Sequence, residues 1–125
     1  MPIGEMATDS TSTVGELFDR HPVQFGLRGD VHLWNALRIK FAATPLPSSW
    51  FEMRRLVQTA VERIIGRPLD ARADPESVYV PEFDPGRGMS AGHVHISWWI
   101  TTGIPILLDR FEAKRQELDA RPSAP

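Results

Sequence analysis

Apolar positions recur at helical spacing in three stretches of the chain. In VHLWNALRIKFAA, Val31, Trp34, Leu37 or Arg38, and Phe41 recur at helical spacing. Asp30 stands where an N-cap belongs, and Pro45 and Pro47 stand where the helix must have ended. A cap of this kind predicts a cost of ~1 kcal/mol for Asp30→Ala. In FEMRRLVQTAVERIIG, Phe51 or Met53, then Leu56, Val57, Ala60, Val61, Ile64 and Ile65, make one apolar stripe, and Arg54, Arg55, Gln58, Glu62 and Arg63 face outward as a solvated side. Ser49 and Glu52 form the S-x-x-E of a capping box, while Gly66 and Pro68 supply the stop. In ITTGIPILLDRFEAKRQELDA, Pro105 suits a first helical turn, and Ile104, Leu107, Leu108, Phe111 and Leu118 face inward. Glu112–Arg115 and Lys114–Glu117 pair on its outer side. A shorter helix, VGELFDR, follows Thr13 with Glu16 three residues on, and His21-Pro22 closes it.

Between the second and last of the longer helices the period changes to two. VYVPEF and HVHISWW read as β-strands, joined by the glycine-rich loop DPGRGMSAG from Asp84 to Gly92. A two-stranded hairpin is not stable by itself, so the helices are expected to bury Val78, Val80, Val94 and Ile96. The predicted fold is therefore α+β: three to four helices packed on a small antiparallel β-hairpin. One domain is expected over residues 13–119, with flexible tails at 1–12 and 120–125, where Pro, Ser, Thr and Ala dominate.

Composition removes several function classes. A net charge of −2 offers no electrostatic case for nucleic acid or an anionic membrane. With no cysteine, disulfides and thiolate zinc sites are impossible, and a reducing cytoplasm fits. The first residues lack the pattern of a signal peptide, and the longest apolar run, ISWWITTGIPILL, is too short and interrupted to span a bilayer. A cytoplasmic protein is expected. The alanine, arginine and proline usage fits a GC-rich bacterial genome.

The unusual residues crowd into Val78–Trp99, which holds the single tyrosine, two of the four histidines and two of the four tryptophans. Gly88-Met89-Ser90-Ala91-Gly92 matches the G-x-S-x-G of a nucleophile elbow, but a strand follows it rather than a helix, and no histidine lies beyond His95. Arg28-Gly29-Asp30 spells an integrin-binding tripeptide, yet a glycine turn with an aspartate cap accounts for it. His93 and His95 point to one face of their strand. A metal there needs a third ligand, Glu82 or Asp84, whereas alternation with Val94 and Ile96 is what any strand with one wet face shows; no metal and no cofactor are expected. The loop lacks the spacing of a P-loop, although its glycines, with Arg87 and Ser90, suit an anion-binding nest. Trp98 and Trp99 are adjacent, so a continuing strand sends them to opposite faces and leaves one as an interface anchor; a bend at Thr101-Thr102-Gly103 would instead place both under the last helix.

No catalytic signature survives this reading, and an enzyme is not the first expectation. The sequence points to a small cytoplasmic protein-interaction module, antitoxin- or immunity-like by analogy. It would bind a protein partner or a second copy of itself through the hairpin face around Trp98 and Trp99, with association weakening toward pH ~6 as the histidines charge. The competing expectation is a small-ligand or anion site at the 84–95 loop, built from Arg87, Ser90, His93 and His95 with Glu82 or Asp84.

Overall fold

The computed structural model describes residues 12–70, 77–84 and 92–120. Arg87, Ser90 and most of the glycine-rich loop lie outside the described residues, as do the expected tails before Ser12 and after Ala120. A 3-10 turn at Val14–Phe18 precedes helix α1 (Arg28–Lys40) and helix α2 (Trp50–Ile65). Strands β1 (Ser77–Tyr79) and β2 (His93–His95) follow, and the chain then runs through one helical turn (Ile96–Trp98) and a π-helical turn (Trp99–Gly103) into helix α3 (Ile104–Ala120). Three helices with a two-stranded antiparallel sheet make an α+β arrangement. Among the described residues, no helix is long and apolar enough to cross a membrane.

Only α2 has both of its ends at the expected residues. Ser49 accepts the Glu52 N–H at 3.1 Å, and Gly66 closes α2 with a φ of 77°, a left-handed value that only glycine adopts cheaply. The first turn is 3-10 rather than α, and the Thr13 hydroxyl caps nothing. α1 starts three residues earlier than its pattern suggests, so Asp30 is its third residue and not its N-cap. The carboxylate nonetheless closes the helix end, because its Oδ2 accepts the Leu27 N–H at 2.6 Å.

The last helix departs most from expectation. Pro105 does not open it; the chain is already helical from Ile96. A proline inside a helix lacks an N–H and crowds the carbonyl four residues back. Here the turn before it widens to π geometry, which absorbs the mismatch. On α3's outer side Lys114 pairs with Glu117 as expected at 3.3 Å, but Arg115 pairs with Asp119 at 3.6 Å rather than with Glu112.

Trp34 stands at the centre of the core. Its ring contacts Phe18, Phe25, Trp98 and Trp99 at centroid distances of 5.0, 5.7, 6.4 and 6.1 Å, and its indole N–H donates to the Phe18 carbonyl at 3.0 Å. The Arg110 guanidinium lies 5.6 Å from the same ring and donates to the carbonyls of Leu17, Arg20 and His21. It thereby ties α3 to the end of the 3-10 turn, where carbonyls lack helical partners. Burial, followed by the charge of Arg20, lowers the Arg110 pKa. Val80, Val94 and Ile96 are buried as expected, while Val78 is half-buried.

Candidate functional site

The hairpin is shorter than the sequence suggests. Its register pairs Ser77 with His95, Val78 with Val94 and Tyr79 with His93. Pro81–Phe83 leaves β1 as a 3-10 turn, since proline favours a first helical position and cannot donate to a ladder. One face of the sheet turns the buried Val94 and the half-buried Val78 toward the core. The other carries Ser77, Tyr79, His93 and His95, all partly or largely exposed.

On that outer face the Tyr79 ring lies 5.3 Å from the His93 ring, and its hydroxyl donates to Asp84 at 2.7 Å. The hydrogen bond to Asp84, then partial desolvation and the carboxylate charge, hold the Tyr79 pKa above 10.0. His93 and His95 do share a face. Among the described residues, however, no three His, Asp or Glu side chains gather as a metal ion would require.

The two edges of the sheet differ. Val80 N–H bonds to the Gly92 carbonyl at 2.8 Å, so Val80–Gly92 is a hydrogen-bonded pair. Antiparallel alternation makes Val78–Val94 the next such pair, and it turns the backbone groups of Ser77 and Tyr79 away from β2 and those of His93 and His95 away from β1. The outer edge of β2 is filled by α1. Gly29 packs so closely that a Cβ there would sit 2.1 Å from the His93 carbonyl oxygen. Asp30 follows, its Oδ1 accepting the His95 N–H at 2.8 Å and the Trp99 indole N–H at 2.9 Å. Among the described residues, the outward groups of Ser77 and Tyr79 on β1 have no hydrogen-bond partner.

Asp30 is thus a fully buried carboxylate held by three N–H donors from Leu27, His95 and Trp99. Burial pushes its pKa up from 3.8; the three donors and the charge of His95 work against that rise. The sequence marks Asp30 only as a cap. Its reach to His95 and Trp99 crosses more than sixty residues and has no local signal.

Of the two placements expected for Trp98 and Trp99, the one that leaves an indole outside the core is corrected, and the structure has both inside. Trp99 is fully buried and Trp98 is 8% exposed, with its indole N–H on the Gln24 carbonyl at 3.1 Å. The strand ends at His95, and residues of a helix advance by about 100° rather than 180°, so neighbours can enter one core. Neither indole is free to anchor a partner. Arg87 and Ser90, the other expected site residues, lie outside the described residues. Comparison with known proteins finds no matching family, no similar curated protein and no similar solved structure.

Proposed function

We propose that this chain is a small protein-interaction module whose docking element is the outer edge of β1. One observation carries the reading: of two sheet edges, one is sealed by Gly29 and Asp30, while the other presents peptide groups of Ser77 and Tyr79 that have no partner among the described residues, beside a Tyr79 that is 44% exposed. An open edge pairs readily with another extended chain. The simplest such chain is a second copy. Outward groups at Ser77 and Tyr79 are symmetric about Val78, so a two-fold pairing of β1 with its copy gives a continuous four-stranded sheet. The pairing is short, which fits a weak and reversible contact. A chain without cysteine suits work in the cytoplasm, and antitoxin- or immunity-type binding is one form such pairing takes.

The test is light scattering on the whole chain from about 1 µM to about 500 µM, the range in which a weak contact of this size would populate. The mass is expected to rise toward a dimer with concentration. Ser77→Pro removes an outward N–H at the first residue of the strand while leaving the β1–β2 ladder intact, and is expected to hold the mass at a monomer with an unchanged far-UV spectrum. A parent that stays monomeric throughout, or a dimer indifferent to Ser77→Pro, refutes the reading.

A further inference from the structure

A groove of about 620 Å³ runs between the end of α1 and the length of α2, away from the hairpin. Its lining includes the buried side chains of Phe41 and Ala60 and the half-buried Leu56. Three exposed cations border it: Lys40 from α1, and Arg55 and Arg63, two turns apart on α2. Among the described residues none of the three has an ion-pair partner, although a solvated helix face commonly pairs such charges with neighbouring acids. Glu52 is the one acid in the lining, and its carboxylate already accepts the hydroxyls of Ser48 and Ser49 at 2.6 and 3.2 Å. An adjoining depression shares Arg55 and Thr59 with the groove and is bordered by Phe51, which is 76% exposed on a helix whose other apolar residues turn inward.

From this we infer that the α1–α2 groove is a second docking surface, for an acidic peptide segment that sets apolar side chains against Phe41, Leu56 and Phe51. Charge complementarity selects the class of occupant: three exposed cations around an apolar lining call for carboxylates flanking hydrophobic residues. Shape selects a chain over a compact ligand. A small molecule is held by a pocket that encloses most of its surface, whereas this groove is open to solvent and lets a helix lie along it. The surface uses no residue of the β1 edge, so its test stands whatever the hairpin does.

The probe is a fluorescein-labelled amphipathic peptide of about fifteen residues, long enough to turn helical on binding, with leucines on one face and glutamates on the other. Its control is the same peptide with lysines for glutamates. Anisotropy titration of the whole chain is expected to show the acidic peptide binding at least about tenfold more tightly, with the preference shrinking as salt rises from about 0.05 M to about 0.5 M. The double variant Arg55→Glu, Arg63→Glu replaces two exposed side chains and is expected to fold; it should reverse the preference toward the lysine peptide. Phe51→Ala should weaken the acidic peptide without changing the charge preference. Equal binding of the two peptides, no binding of either, or a preference that survives the double charge reversal overturns the inference. So does displacement of the peptide by dodecanoate at equal concentration, which would put a fatty-acid anion in the groove. A peptide-free dimer abolished by the double reversal would put a second copy there and likewise overturn it.

Discussion

The two edges of the small sheet were made by the same three-residue pairing and have opposite fates. On β2, a helix terminus approaches without a side chain at Gly29, and a carboxylate at Asp30 takes up the His95 N–H that would otherwise face outward. On β1, nothing among the described residues does the same for Ser77 and Tyr79. The difference teaches where polarity in this protein is committed to holding the fold and where it is left for contact. A buried N–H must find an acceptor or cost free energy, whereas an edge at the surface can wait on water or a partner.

Asp30→Ala should break the sealed edge most severely. It orphans the Leu27 and His95 N–H groups and the buried Trp99 indole N–H together, and a loss of about 4 kcal/mol in denaturant unfolding is expected, well beyond the cost of one missing cap. A loss near 1 kcal/mol would return Asp30 to the role of a simple cap. Gly29→Ala attacks the same seam from the backbone side, because its Cβ would meet the His93 carbonyl and push α1 off β2; about 2–3 kcal/mol should be lost. Hydrogen exchange should then show the His95 amide opening ahead of the rest of the core.

A smaller effect comes from pH. The Asp30 pKa is raised in the folded chain, so the native state binds this proton more tightly than the unfolded chain does. Its contribution to stability is fully present below the ordinary carboxyl value of 3.8 and is lost as pH rises through the folded value. Unfolding of Asp30→Asn should therefore lack the part of the pH slope that the parent shows just above 3.8. A carboxyl titration by NMR with its midpoint below that value would mean that the three donors outweigh burial.

The open edge should barely register in stability. Tyr79→Thr keeps a strand former at an exposed position and removes only the Asp84 hydrogen bond and the His93 ring contact, so the change should stay within about 0.5 kcal/mol. Its effect should appear in self-association instead. A large loss of stability with no change in association would mean that this edge, too, serves the fold.

Much of the architecture was legible from local pattern. The stripe in α2, its Ser49 cap and its Gly66 stop are all written within a few residues of where they act, and the structure has them as read. The change to period two marked the hairpin, and Val80, Val94 and Ile96 went to the core as it implied. The strand ends were less legible, because β-branched and aromatic residues such as Ile96, Trp98 and Trp99 suit a buried helix as well as a strand. For that reason the sequence left two placements open for those indoles, and the structure has the one in which both enter the core.

By itself, then, the sequence determined the number of helices, most of their faces, the cap and stop of α2, and the presence of one hairpin, since these depend on residues a turn or two apart. Tertiary structure alone decided that Asp30 would tie α1 to His95 and Trp99, and that β2 rather than β1 would have its edge sealed. It alone gathered Lys40, Arg55 and Arg63 around one groove without an ion-pair partner among the described residues. Each of these joins groups far apart in the chain, and a partner that distant becomes available to a buried N–H or a surface cation only after the elements have packed.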